Sequence, residues 1–273
     1  MGRFLGLLAV AVLVLGACAP VKNRISTPSA RLLGAELLEL DPFADRLVLR
    51  LDLELTNPNP YELPLLASEL RVRLGDLDSR AILPALTLPA QGQARTSVRV
   101  EAPVGRSAGT AARLLAGESL PLVLTARLRV DALGQGIWLG PYPLLRDRVR
   151  FSVQLAPPEV EPVSAEIALG PGALEFRLRY RARNSLPVGF RVEGSLVARV
   201  GGYILGEAPV ALRLPPQGEE EGELVLRLPL SALPGAAGAL SRGAPYELSG
   251  ELRVKVPGVL ERNFRIRLAG VAR

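Results

Sequence analysis

The sequence predicts an all-β chain arranged as two tandem antiparallel β-sandwiches, each with one short helix. Three observations predict it: apolar and polar residues alternate with period two in many short segments, Pro, Gly and Asn punctuate those segments, and a set of landmarks recurs at a near-constant offset. The clearest segment places Leu47, Leu49, Leu51, Leu53 and Leu55 on one strand face, with Arg46, Val48, Arg50, Asp52 and Glu54 on the other. It runs into Thr56-Asn57-Pro58-Asn59-Pro60-Tyr61. Each proline lacks an N–H and biases the Asn before it away from helical angles, so the ladder must stop there. After Leu63-Pro64-Leu65 the alternation resumes at Leu70, Val72 and Leu74, with Glu69, Arg71 and Arg73 facing out.

A second, weaker copy follows. Leu174, Phe176, Leu178, Tyr180 and Ala182 alternate with Glu175, Arg177, Arg179, Arg181 and Arg183, then meet Asn184-Ser185-Leu186-Pro187 where the first copy has its Asn-Pro corner. Val192, Leu196, Ala198 and Val200 form the returning strand. The turn Leu88-Pro89-Ala90-Gln91-Gly92 recurs as Leu214-Pro215-Pro216-Gln217-Gly218, and Ala126-Arg127-Leu128-Arg129-Val130 recurs as Gly250-Glu251-Leu252-Arg253-Val254. Asn57 and Asn184 stand 127 positions apart, Pro89 and Pro215 126, and Arg129 and Arg253 124, which is the mark of a duplication. Helical potential is confined to Arg106–Ala116 and to Ser231–Leu240, the latter weakened by Pro234, Gly235 and Gly238. Each copy is expected to close with two strands, at Leu122–Val130 and Val149–Leu155 in the first and at Leu248–Val256 and Phe264–Leu268 in the second. The expected sandwiches span 31–156 and 163–273, separated by the stiff, proline-rich segment Ala156–Pro162.

The alternating strand, Asn-Pro-Asn-Pro-Tyr, Leu-Pro-Leu, returning strand and single small helix resemble the LEA type-2 family, the desiccation-related proteins with a WHy domain. The likeness extends over roughly 31–155 and, more weakly, 163–273, and its most specific element is Asn57-Pro58-Asn59, followed by Pro60. The second copy keeps only Asn184 and Pro187 of that motif. The resemblance implies an immunoglobulin- or fibronectin type III-like sandwich and a link to water or envelope stress, with no agreed catalytic residues. The composition, with 48% hydrophobic and 22% charged residues, is that of a folded chain rather than a disordered one.

The amino terminus reads as a targeting segment: Arg3 supplies positive charge, Phe4–Leu15 an apolar run too short to span a bilayer comfortably, and Gly16-Ala17 the small residues before a cut. Leu15-Gly16-Ala17-Cys18 resembles the lipobox of bacterial lipoproteins, which implies that residues 1–17 are removed and that Cys18 becomes the lipidated first residue. Residues 18–30 are then an anchor and tether. By the same resemblance, Ala19 in place of the Asp associated with inner-membrane retention implies an outer-membrane destination facing the periplasm, with the inner membrane as the alternative. Cys18 is the only cysteine, so no intrachain disulfide can form.

Chemistry is sparsely provided. The chain has no histidine, which eliminates Ser-His-Asp and Cys-His catalysis and imidazole metal sites. Glu219-Glu220-Glu221 reads as a solvated loop tip rather than a calcium site, and Gly134-Gln135-Gly136 lacks the strand-to-helix context of a phosphate cradle. No enzyme, no cofactor, no metal and no nucleic acid are expected. Asn57 and Asn59 read as turn formers that bond their own backbone. Arg177, Arg179, Arg181 and Arg183 line one strand face, either as a solvated surface or as a contact for anionic lipid head groups. Ile137-Trp138-Leu139 before Gly140-Pro141-Tyr142-Pro143 reads as a loop whose Trp caps the first core. The functional expectation is a non-enzymatic, lipid-anchored envelope protein. The alternative is an accessory lipoprotein that binds a protein partner of an envelope machine, and stoichiometric co-purification with one distinguishes the two.

Overall fold

A computed structural model describes residues 25–170, 172–201, 203–229 and 244–272. The expected signal peptide, Cys18 and the second helical stretch at Ser231–Leu240 lie outside the described residues. Within them the chain is a succession of fifteen strands, β1 (Ser29–Asp41), β2 (Arg46–Thr56), β3 (Leu63–Leu74), β4 (Leu77–Leu83), β5 (Leu86–Leu88), β6 (Gln93–Ala102), β7 (Ser119–Ala132), β8 (Gln135–Arg150), β9 (Glu159–Gly170), β10 (Ala173–Arg183), β11 (Phe190–Val200), β12 (Tyr203–Leu214), β13 (Glu219–Pro229), β14 (Ala244–Val256) and β15 (Leu260–Ala272). One helix, α1 (Ala108–Leu115), lies between β6 and β7 and buries Thr110, Ala111, Leu114 and Leu115.

Antiparallel pairing sorts these strands into the same pattern twice. In the first unit β1-β2-β6 form one side and β4-β3-β7-β8 the other, joined into a single sheet by one β4–β6 pair, Ala81–Val100, with the short β5 on β3. In the second unit β9-β10-β13 and β12-β11-β14-β15 are separate sheets. Three strands facing four, all antiparallel, is the fibronectin type III-like division of a sandwich. The alternating leucines fill the space between: Leu47, Leu49, Leu51, Leu53 and Leu55 are all buried, as are Leu70, Val72 and Leu74 opposite and Leu174, Phe176, Leu178 and Ala182 in the second unit. Period-two burial of this kind follows from strand pleating, which sends neighbouring side chains to opposite faces.

Several expectations shift. Val48 and Glu54, placed on the wet face of β2 by alternation, are both buried. Glu54 lies between Arg31 on β1 and Arg95 on β6, directly opposite both in register, and accepts hydrogen bonds from them at 2.8 and 3.2 Å. The Arg95 hydrogen bond outweighs desolvation and, with the Arg31 charge, holds the Glu54 carboxyl below its ordinary range. Because the folded-state pKa is the lower one, the stabilisation is complete above the unfolded value near 4.5 and is lost as pH falls through the folded one. The urea midpoint of the native chain should therefore drop below about pH 4.5, and Glu54→Gln should remove part of that drop.

The segment expected as a tether is docked by its end. Pro28 is buried, Ile25 packs against the core, and Ser29 and Ala30 are already paired in β1 with Thr56 and Leu55. The second unit likewise starts before residue 163. Glu159, Val160, Glu161 and Pro162 pair with Arg183, Ala182, Arg181 and Tyr180, and the missing N–H of Pro162 is tolerated because β9 is an edge strand with an irregularity beside that pair. The closing strand of the first unit runs over Gln135–Arg150 and not over Val149–Leu155. The Gly and Pro residues that suggested a loop sit at register shifts that β7 follows without breaking the ladder.

The two units meet end to end. Leu40, at the end of β1, donates its N–H to the Pro187 carbonyl (2.7 Å) and accepts from Gly189 N–H (2.8 Å), forming a parallel bridge opposite Val188. Phe43 in the β1–β2 turn lies under the guanidinium groups of Arg213 and Arg191, 4.1 and 5.6 Å from the ring centroid. The second unit thus holds the end of the first that carries the β1–β2 turn. Strand direction puts the Asn57–Tyr61 corner, Ser26 and the β7–β8 turn at the opposite, free end.

Candidate functional site

Three surfaces drew attention in the sequence, and their geometry separates them. At the first corner Asn57 is buried and donates from Nδ2 to the carbonyls of Tyr61 (2.8 Å), Pro89 (2.9 Å) and Leu88 (3.3 Å). Its Oδ1 accepts from the backbone N–H and the side-chain amide of Asn59 at 3.0 and 2.8 Å. Asn59, also buried, donates from Nδ2 to the Ser26 carbonyl (2.9 Å) and accepts the Ser26 N–H on Oδ1 (2.7 Å). The two asparagines are therefore structural, but their bonds reach well beyond their own turn: Asn57 ties the corner to the Leu88–Gly92 turn, and Asn59 holds the entering chain. Pro58 and Pro60 are exposed and terminate the strand from outside.

The second corner repeats this scheme atom for atom where the sequence allows. Asn184 Nδ2 donates to Val188 and Pro215 carbonyls at 2.7 and 2.8 Å, and its Oδ1 accepts from Leu186 N–H at 3.0 Å. Asn57 N–H donates to the Gly92 carbonyl and Asn184 N–H to that of Gly218; Gln91 N–H donates to Asn59 and Gln217 N–H to Leu186. Gln91 and Gln217 both take φ +50°. Leu186 occupies the Asn59 position, where its backbone N–H makes to Asn184 the bond that the Asn59 N–H makes to Asn57, and its side chain packs against the core.

The arginines of β10 are not a free cationic strip. β10 is the middle strand of its sheet, and its outward face is flanked by glutamates of both neighbours: Glu166 and Glu161 on β9, and Glu223, Glu221 and Glu219 on β13. Arg181 pairs with Glu221 at 2.8 Å, Arg179 with Glu223 at 3.7 Å, Arg177 with Glu175, and Arg183 lies opposite Glu159 and Glu219. Hydrogen bonds from Arg177 and then Arg227 hold the Glu175 carboxyl below its ordinary range. Glu219-Glu220-Glu221, expected at a loop tip, is the turn-proximal start of β13, and its Glu219 and Glu221 face Arg183 and Arg181 while Glu220 accepts the Arg213 N–H. The face is a balanced ladder of solvent-screened pairs, each weak by itself.

A different basic surface emerges on the outside of β4-β3-β7-β8. Arg71 and Arg73 on β3, Arg80 on β4 and Arg127 on β7 line an open depression with Glu69 and the Gly140–Pro141 segment. Arg71 is engaged by Asp78 at 2.8 and 2.5 Å. Among the described residues neither Arg127 nor Arg129 is paired with a carboxylate; both stack on Trp138, with guanidinium carbons 5.1 and 5.8 Å from the ring centroid. Trp138 sits in β8 directly opposite Arg129, so it lies on the outer face and does not cap the core; of Ile137-Trp138-Leu139 only Leu139 is buried. A Cβ at Gly136 would meet the Arg129 guanidinium, so glycine there leaves room for the stack. The sequence signal for this surface was the alternation of arginines within Arg71–Arg73 and Arg127–Arg129. Their adjacency depends on β3 pairing with β7, which composition does not reveal.

Among the described residues no group of three or more His, Cys, Asp or Glu side chains is placed to hold a metal, and no helix is long and apolar enough to cross a membrane. No family model and no curated protein matches the chain. Solved structures match over long stretches with little identity. An Archaeoglobus fulgidus protein covers 48% of this chain and 99% of its own length at 6% identity and TM-score 0.27. Red sea bream transglutaminase covers 92% and 32% at 10% identity and TM-score 0.30. A Porphyromonas gingivalis protein of unknown function covers 89% and 99% at 14% identity and TM-score 0.22. The chain thus spans about a third of the transglutaminase.

Proposed function

We propose that this protein is a non-enzymatic, lipid-anchored envelope protein of the LEA type-2 class, protective or structural under water or envelope stress. The observation that carries the reading is Leu15-Gly16-Ala17-Cys18 at the end of a short apolar run, eight residues before the chain docks on the first corner through Ser26. Lipid at Cys18 supplies lasting attachment when two or more acyl chains are present, since each buried CH₂ contributes about 0.8 kcal/mol. The non-enzymatic part rests on residue chemistry: without histidine or a second cysteine, the exposed carboxylates lie in ion-paired ladders. The test is fractionation. Cys18→Ala should move the exported protein from the detergent-extractable membrane fraction to the soluble one. A variant that is exported and stays with the membrane would overturn the reading.

A further inference from the structure

The β7–β8 turn has a composition that the fold does not require. Leu133 and Gly134 are its two central residues, with φ +56° and +79°, the geometry of a type I′ hairpin turn. Asn, Asp or Gly suits the first position, whereas a leucine at positive φ is strained. Leu133 is nevertheless there, and it is wholly exposed, at 105%. Asp131 Oδ1 accepts the Gly134 N–H at 2.9 Å, which closes the turn without help from the leucine side chain. Ile137 is also exposed, and behind both lie Trp138 and its two stacked arginines, Arg127 and Arg129. The hairpin therefore presents an apolar tip and, further in, an indole level with Arg129 and then Arg127.

Its position gives that order a direction. The β3–β7 register sets Val130 and Arg129 beside Leu65 and Leu66, at the end where the Asn57–Tyr61 corner holds Ser26. From Ile25 back to Cys18 is seven residues, a reach of at most about 25 Å. The equivalent hairpin of the second unit, between β14 and β15, lies at the end that meets the first unit, where Arg262 shares a depression with Leu115 and Phe151. The first unit's turn, by contrast, lies at the end away from the second.

We infer that the β7–β8 hairpin is a second membrane contact, in which Leu133 and Ile137 enter the edge of an anionic phospholipid bilayer while Trp138 sits at head-group level and Arg127 and Arg129 meet the phosphates. The inference deepens the lipid-anchor reading and rests on it for orientation. Its chemistry stands separately: indole rings favour the interface, and each basic residue close to an anionic surface adds attraction that decays within a Debye length. Two attachment points, lipid and hairpin, would hold the first sandwich upright with the second unit carried away from the bilayer.

Trp138 is the only tryptophan in the chain, so its emission reads the hairpin directly. The full protein with its lipid is reconstituted into phosphatidylglycerol-containing vesicles with brominated acyl chains. Flotation reads the anchor and quenching reads the hairpin. Trp138 emission should shift to the blue and be largely quenched. Leu133→Asn, which suits the turn better and should fold at least as stably, combined with Ile137→Asn, should abolish the quenching while the protein still floats. Cys18→Ala protein should bind the same vesicles weakly at low salt, release as salt rises, and bind about tenfold less when Leu133→Asn is added. Floating wild-type protein whose emission ignores the brominated lipid would overturn the hairpin contact and leave the anchor standing. Quenching without any dependence of flotation on Cys18 would do the reverse. Capture of a protein rather than lipid by a photocrosslinker at position 133 would also overturn it.

Discussion

Asn57→Asp is expected to destabilise the first sandwich by more than any other single side-chain change at the corners. The substitution keeps the Oδ1 acceptor but replaces the Nδ2 donor with a second oxygen facing the Tyr61, Leu88 and Pro89 carbonyls. Each buried polar group left unpaired costs about 1–3 kcal/mol, and three are affected, two of them on the turn that leads into β6. A loss of about 4 kcal/mol or more is a large share of the roughly 5–15 kcal/mol that holds a domain together. Urea unfolding should show it as a fall in midpoint without a change in slope. Asn59→Leu gives the control, because Leu186 fills that position in the second unit. It should cost much less and act mainly by releasing Ser26, detected as faster amide exchange at Ser26 and Thr27. Equal losses from the two variants would mean that the corner's backbone bonds, and not the Asn57 amide, hold the turn.

Leu51→Ala should cost about 2–5 kcal/mol, the range for removing a wholly buried leucine and leaving a cavity. Leu51 lies mid-strand in β2, opposite Ala35 on one side and Val98 on the other, so no loop is near enough to collapse into the space. The apparent Tm should fall by on the order of 10 °C. Arg50→Ala, one residue away on the exposed face with Glu36 as partner at 2.6 Å, should fall within about 1 kcal/mol of the native chain. If the two variants behaved alike, the leucine face would not be the core.

The lipid anchor is tested by the Cys18 fractionation and the hairpin contact by Trp138 emission. The two corners, with little residue identity, make the same hydrogen bonds. Asn57 and Asn184 were visible as landmarks; that Asn59 and Leu186 are equivalent was visible only as an offset, and the backbone bonds of Gln91 and Gln217 explain why it holds.

What the sequence by itself determined was the local pattern. Alternation at Leu47–Leu55, Leu70–Leu74 and Leu174–Ala182 identified the strands and their inner faces, since pleating makes burial a property of parity along one segment. The Asn-Pro corners and the Pro-x-Gln-Gly turns marked where strands stop, because proline removes a donor and glycine relieves a crowded turn. What only the tertiary structure decided was which outer faces carry net charge. The four arginines of β10 looked cationic in one dimension, but Glu223, Glu221 and Glu219 of β13, more than 35 residues away, face Arg179, Arg181 and Arg183, and Arg177 pairs with Glu175 of its own strand. Arg127 and Arg129 looked like one more alternating pair and became, with Trp138 opposite Arg129, a stacked basic surface toward the end of the first unit that lies away from the second. Charge on a sheet face depends on strand order and register, and these are set by the packing of segments far apart in the chain.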